Sequence, residues 1–63
     1  MPTIRIDISA LDKEKKAELA AELTKAAHTV LPHISETAFT VYIHENSLDN
    51  IAVGGKLLSD RKK

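Results

Sequence analysis

A chain of 63 residues without a single cysteine has few ways to hold a fold together. A domain this short buries only about 60% of the surface that its unfolded chain exposes. Disulfide bonds and cysteine-based zinc sites are excluded, and one phenylalanine, one tyrosine and no tryptophan leave few large aromatic anchors. We therefore expect a single domain, residues 1–63, that gains much of its stability by association with other copies of itself.

The charge balance argues against several classes of partner. The net charge is zero with histidine neutral, and the pI is near 6.8. A nucleic-acid or membrane surface built on bulk positive charge is therefore disfavoured, and the basic tail, Asp60–Lys63, is too short to change this. Residues 1–11 lack the basic start and apolar run of a signal peptide, and no apolar stretch approaches membrane-spanning length. We expect a cytoplasmic protein with no nucleic-acid or membrane partner.

Hydrophobic periodicity predicts a strand, a helix and a second strand, in that order. Thr3–Ser9 and Ala38–His44 both alternate apolar and polar residues, which is typical of strands with one covered face. Asp12 is a predicted helix N-cap, and Lys13–Leu31 carries an apolar stripe at helical spacing until Pro32 ends it. Since this helix can cross between parallel strands, we predict an α+β fold built on a right-handed β-α-β unit with one long helix.

The predicted two-stranded sheet has two chemically different faces. Its apolar face, which the helix would cover, comprises Ile4, Ile6, Ile8, Phe39, Val41 and Ile43. Its polar face comprises Thr3, Arg5, Asp7, Thr40, Tyr42 and His44. Because two strands and one helix are too thin to stand alone, we expect a second copy to cover the polar face, with Arg5 and Asp7 paired across the interface.

The end of the chain predicts a short hairpin. A polar turn at residues 46–50 is followed by Ile51-Ala52-Val53 and then by Gly54-Gly55. Paired glycines suit the tight turn that joins two antiparallel strands.

Pro2 is the residue that offers the most direct chemistry. If Met1 is removed, the Pro2 nitrogen becomes a free secondary amine, and α-amino groups titrate near about pH 7.7–8 in model peptides. Apolar surroundings would lower that pKa and make the amine a general base at neutral pH. Alternatively, Pro2 merely follows the initiator and begins an edge strand. If Met1 is retained, the Pro2 nitrogen is an amide and cannot act as a base.

Together, the Met1-Pro2 start, the β-α-β layout, the chain length and the Gly54-Gly55 pair resemble the 4-oxalocrotonate tautomerase family over nearly the whole chain. The resemblance implies a β-α-β fold with a C-terminal hairpin, assembled into hexamers that are trimers of dimers, or into related assemblies. It implies that Pro2 is the catalytic base, which takes a proton from a carbon next to a carbonyl group and returns it elsewhere on the conjugated system. It also implies no metal, no organic cofactor and a role in the catabolism of aromatic compounds.

Two arginines that bind substrate in the best-known members of that family have no counterpart here. The loop after the first strand, Ser9–Asp12, is short and lacks arginine, and the position in the second strand is Thr40, which has no guanidinium group. The family's apolar wall, a phenylalanine shortly before the glycine pair, corresponds to Ile51. The resemblance therefore implies Pro2 as the catalytic residue and Thr40 and Ile51 as substrate-binding positions. The missing arginine pair suggests a substrate with fewer carboxylates, or a low, promiscuous activity.

We expect an isomerase that tautomerises a small enolisable carbonyl or carboxylate compound. The alternative is a non-catalytic oligomeric module of the same fold, in which Pro2 is vestigial. Arg5, Lys13 and Arg61 are candidates for binding an anionic substrate, and none of them is preferred. The histidines, at positions 28, 33 and 44, match no metal-binding spacing, so we expect no metal site.

Overall fold

A parallel pair of strands and one long helix make up most of the chain in a computed structural model that describes residues 2–60. In chain order the main elements are β1 (Thr3–Ile8), α1 (Lys13–Val30), β2 (Thr40–Glu45), β3 (Ala52–Val53) and β4 (Lys56–Leu57). Strand β1 pairs with β2 in parallel, and β3 pairs with β4 in antiparallel orientation. The predicted α+β fold, with its β-α-β unit, single long helix and C-terminal hairpin, is confirmed.

The register of β1 and β2 places the predicted residues on the predicted faces of the sheet. On the polar face, Thr3 pairs with Thr40, Arg5 with Tyr42 and Asp7 with His44. On the apolar face, Ile4 pairs with Val41 and Ile6 with Ile43, and these four side chains are half-buried beside α1. The polar face is largely exposed, so residues 2–60 provide no covering layer for one side of this two-stranded sheet.

Helix α1 begins where the sequence places its cap and ends one residue earlier than predicted. The Oδ1 atom of Asp12 accepts a hydrogen bond from the backbone nitrogen of Lys15 at 2.8 Å, which satisfies a free amide of the first turn. Leu31 leaves the helix with φ −119° and ψ 66°. The cause is Pro32, whose ring disfavours helical geometry in the residue before it.

The predicted start of the second strand at Ala38 is wrong, because a 3₁₀ turn occupies Glu36–Ala38. The hydroxyl oxygen of Ser35 caps this turn by accepting from the backbone nitrogen of Thr37 at 3.3 Å. Phe39 leaves the turn and precedes β2, so it is not a strand residue of the apolar face.

The other strand ends also differ slightly from the prediction. Strand β1 stops at Ile8 rather than Ser9, and β2 continues to Glu45 rather than stopping at His44. The backbone nitrogen of Asn46 donates to the carbonyl oxygen of Ile8 at 2.8 Å and closes the pairing at this end.

The C-terminal hairpin forms where the glycine pair predicts it. Gly54 and Gly55 have φ values of +63° and +82°, the combination that a two-residue turn between twisted strands requires. Before the hairpin, the predicted polar turn contains a 3₁₀ turn at Leu48–Asn50, capped by Ser47. The backbone nitrogen of Leu58 donates to the carbonyl oxygen of Ile51 at 2.8 Å, which ties the end of the hairpin back to its start.

The described part of the chain, residues 2–60, contains no fully buried side chain. The radius of gyration is 15.2 Å, against about 11 Å for a compact domain of this length. The accessible surface is 5087 Å², against roughly 4,000 Å² for a compact monomer of this mass. The fold is therefore a thin, extended layer. Across residues 2–60, no helix combines the length and apolarity that crossing a membrane demands.

Candidate active site

Pro2 lies at the amino-terminal tip of β1, where the chain enters the sheet. Its carbonyl oxygen accepts a hydrogen bond from the backbone nitrogen of Thr40 at 3.1 Å, so the first residue of β2 is fixed beside it. Both residues are half-buried. The structure thus brings together two of the three predicted site residues, and the position of Pro2 is set by the same backbone pairing that begins the parallel sheet.

Ile51 lies at the opposite end of the sheet from Pro2. It lines a concave surface together with Ile8, the last residue of β1, and the cavity there has a volume of about 380 Å³. Each of the six residues of β1 advances the chain by about 3.3 Å, so this surface lies roughly 20 Å from Pro2. Within one chain, Ile51 therefore cannot contact Pro2, and its predicted role as a wall beside the proline requires a second copy.

The surface around Ile51 is predominantly apolar but carries a few polar groups. Besides Ile8 and Ile51, it is lined by Asp7, Ser9, Asn46, Leu48 and Leu58. The Nδ2 atom of Asn46 donates to Oδ1 of Asp7 at 3.5 Å. An apolar surface of this kind can exclude water from an amine brought against it, and exclusion of water favours the neutral, basic form of the amine.

The loop after β1 is held by Glu45, a residue for which the sequence predicts no role. The Oε2 atom of Glu45 accepts from the backbone nitrogen of Leu11 at 2.9 Å, and Oε1 accepts from Nζ of Lys16 at 2.8 Å. The hydrogen bond from Lys16, followed by that from Leu11, lowers the pKa of this carboxyl group below its ordinary value of 4.5. The partners lie 34 and 29 residues away, so no local pattern marks Glu45 in advance.

Arg5 lies on the polar face against two residues of β2. Its guanidinium carbon is 5.1 Å from the centre of the Tyr42 ring, and Nη1 donates to Nε2 of His44 at 3.5 Å. Among residues 2–60 the ion pairs are formed by Lys15, Lys16 and Lys25, so Arg5 has no carboxylate partner there. Of the other predicted cations, Lys13 begins α1 at the far end of the sheet, and Arg61 lies outside the described residues.

The three histidines lie in different surroundings. The Nδ1 atom of His28 donates to the carbonyl oxygen of Ile34 at 2.8 Å, and its ring meets that of Phe39 edge-on at 6.3 Å. These contacts fasten the end of α1 to the segment that leads into β2. His33 is exposed, and His44 contacts Arg5. Among residues 2–60, no three histidine or acidic side chains cluster closely enough to hold a metal ion.

Comparisons with known proteins cover nearly the whole chain. The family profile described as "Tautomerase enzyme" matches residues 2–61, a span that starts at the proline. Comparison with curated proteins finds no match.

Solved structures share both the fold and part of the sequence. YwhB, described as a homologue of 4-oxalocrotonate tautomerase, is 31% identical with a TM-score of 0.87, over 97% of this chain and 100% of YwhB. DmpI from Archaeoglobus fulgidus is 36% identical with a TM-score of 0.83, over 94% of this chain and 100% of DmpI. The heterohexamer 4-oxalocrotonate tautomerase from Chloroflexus aurantiacus J-10-fl is 27% identical with a TM-score of 0.86, over 98% of this chain and 100% of that one.

Proposed function

The chain belongs to the tautomerase family of enzymes, and we propose that it is an isomerase in which the Pro2 nitrogen, freed by removal of Met1, is the general base. The observation that carries the proposal is the place of Pro2. It lies at the tip of β1 and is fixed there by its hydrogen bond with Thr40. A base must be held in one position to reach the proton it removes, and the sheet supplies that position.

In the proposed reaction the Pro2 nitrogen takes a proton from a small enolisable carbonyl compound. The electrons of the broken bond spread into the conjugated system as an enolate, and the protonated amine returns the proton at another atom of that system. The result is a keto–enol tautomerisation or a 1,3-allylic shift. Substrate and product are isomers, so the step balances without an oxidant, a reductant or a co-reactant.

We further propose that the site is completed by a second copy of the chain. Ile51 lies at the opposite end of the sheet from Pro2, so an apolar wall can reach the amine only across an interface. The surface of 5087 Å² exceeds that of a compact monomer by an area on the order of 1,000 Å², comparable with the roughly 800 Å² that each partner contributes to a standard interface.

The exposed residues of the C-terminal segment support self-association. Leu48, Val53 and Leu57 are 45%, 56% and 37% exposed, which is unusual for three large apolar side chains along one short segment. The Chloroflexus aurantiacus relative is itself a heterohexamer. We propose that this chain forms a homohexamer built as a trimer of dimers.

The experiment that tests the proposed function compares two proline substitutions. Pro2→Ala removes the secondary amine, whereas Pro32→Ala changes the chain's other proline, which lies after α1. Pro2→Ala replaces the secondary amine held by the ring with a primary amine that is free to rotate. It should lower kcat/KM at least about 100-fold on a 2-hydroxydienoate or an aryl enol pyruvate, because a positioned general base contributes roughly that much or more. Pro32→Ala should retain activity. These two enols are the first substrates to assay, and we propose a role for the enzyme in the catabolism of aromatic compounds.

A second variant separates the ring of Pro2 from its nitrogen. One residue added before Pro2 keeps the ring but turns the nitrogen into an amide, and this variant should be as inactive as Pro2→Ala. Sedimentation of each variant shows whether the assembly is intact. Equal activity of the wild type and Pro2→Ala, with both assembled, contradicts the proposal and favours a non-catalytic module.

A further inference from the structure

We propose that Arg5 binds the substrate's carboxylate, so that the preferred substrate is an enolisable carbonyl compound with a single carboxylate near its acidic carbon. This inference rests on the proposed function of Pro2. Arg5 lies in β1, and Pro2 immediately precedes that strand, three residues before Arg5, a separation of about 10 Å between backbone positions. The long arginine side chain and a small substrate can together span that separation.

The guanidinium group of Arg5 has hydrogen-bonding capacity to spare. Its neighbours are the ring of Tyr42 at 5.1 Å and Nε2 of His44 at 3.5 Å. Neither the phenol ring nor the imidazole is an anion, so neither neighbour neutralises the charge of the guanidinium group. An arginine has five N–H donors in a planar fork that matches a carboxylate, and the structure occupies one of them with a long bond.

The nearest carboxylate on the same face is engaged elsewhere. Asp7 follows Arg5 by two positions on β1, but its Oδ1 atom accepts from Asn46 rather than from Arg5. A guanidinium group without a carboxylate partner becomes costly when it is shielded from water, unless an anion meets it. A substrate carboxylate supplies that anion at the moment of binding.

The order of residues along the sheet defines a path from the base to the cation. The paired residues Thr3 and Thr40 lie between Pro2 at the tip and the pair formed by Arg5 and Tyr42. Stacking on Tyr42 restrains the guanidinium group on the polar face, which reduces the freedom lost on binding. A substrate whose acidic carbon meets Pro2 and whose carboxylate meets Arg5 would pass over Thr40.

The test compares an aryl enol pyruvate with its methyl ester, which is the same molecule without the charge. Arg5→Gln should raise KM for the acid roughly 10- to 100-fold, the range expected for loss of a charge-assisted hydrogen bond. It should leave KM for the ester within about 2-fold, because the ester makes no ionic contact. Arg5→Lys, which keeps the charge but loses the fork, should recover part of the acid's affinity. Lys25→Gln, which removes an exposed cation of α1 that pairs with Glu22, is the control and should change KM for neither substrate.

The alternative outcomes are distinct. If Arg5→Gln raises KM equally for the acid and the ester, or if the variant dissociates in sedimentation, Arg5 serves folding or assembly and the proposal is overturned. Unchanged kinetics for the acid overturns it as well. If the wild type turns over neither compound, the proposed function fails instead. Calorimetric titration of wild type and Arg5→Gln with the acid still tests Arg5, since binding of a carboxylate does not require turnover.

Discussion

Glu45 joins the end of β2 to the loop and first turn that follow β1. It accepts a hydrogen bond from the backbone nitrogen of Leu11 at 2.9 Å and another from Lys16 at 2.8 Å. These contacts fix the loop although the side chain is more than a third exposed. An exposed ion pair on its own stabilises little, but a carboxylate that also receives a backbone N–H couples two segments.

The lowered pKa of Glu45 has a consequence for stability. Because the folded state favours the charged carboxylate, its contribution to the free energy of unfolding is present above the ordinary pKa of 4.5. That contribution is lost as the pH falls through the lowered value of the folded protein. Glu45→Gln should therefore unfold at a lower temperature than the wild type near neutral pH, and the difference should vanish in strong acid.

Thermal unfolding measured across pH checks this, with Glu22→Gln as the control. Glu22 forms an exposed pair with Lys25 at 3.6 Å on the surface of α1 and receives no backbone hydrogen bond. Its loss should change the unfolding temperature little at any pH. A Glu45→Gln effect that persists unchanged in acid, or that merely equals the effect of Glu22→Gln, contradicts the assigned role.

Secondary structure could be predicted where the determining chemistry is local. Asp12 caps α1 through an amide three residues away, and Gly54 with Gly55 supplies the two positive φ values of the hairpin turn. The two faces of the sheet follow from alternating side chains on each strand, since the period of two assigns every residue to a face. These features need only a few neighbouring residues, so the sequence reveals them.

The prediction was wrong where two local preferences compete. Ser35 starts a 3₁₀ turn whose last residue, Ala38, falls inside what alternation marks as strand. Leu31 continues the apolar stripe of α1, but the following proline forces it out of the helix. The contacts of Glu45 and the stacking of Arg5 on Tyr42 could not be predicted, because they join residues that only the parallel pairing brings together.

At the scale of the whole molecule, the chain divides its proposed site between two ends. Pro2 and Thr40 lie at the amino end of the sheet, and Ile51 lies at its carboxyl end, roughly 20 Å away. Within an isolated chain the two ends cannot contact each other, whereas in an assembly one end of a copy can contact the other end of its neighbour. We therefore propose that the site forms only between copies. The sequence predicts the residues of this site but does not show that they lie at opposite ends of the sheet.

Mixing two inactive variants tests this division. Ile51→Asp removes the apolar wall but keeps the amine, and one residue added before Pro2 turns the amine into an amide but keeps the wall. If each site uses residues of two copies, co-refolding the two variants should restore a measurable fraction of activity, because some interfaces then pair an intact Pro2 with an intact Ile51. Simple mixing without refolding is the control. No recovery from mixed assemblies, confirmed by sedimentation, would mean that both residues act within one chain or that Ile51 has no part in the site.

The central claim is that Pro2 is a free, basic amine in the assembled protein, and titration of its ¹⁵N NMR signal measures this most directly. We predict a secondary-amine signal that titrates with a pKa below the roughly 7.7–8 of exposed α-amino groups, because apolar groups from a second copy disfavour the charged form. A signal that does not titrate, as expected of an amide nitrogen still bonded to Met1, would contradict the claim. So would an amine whose pKa lies within the range of exposed amino groups.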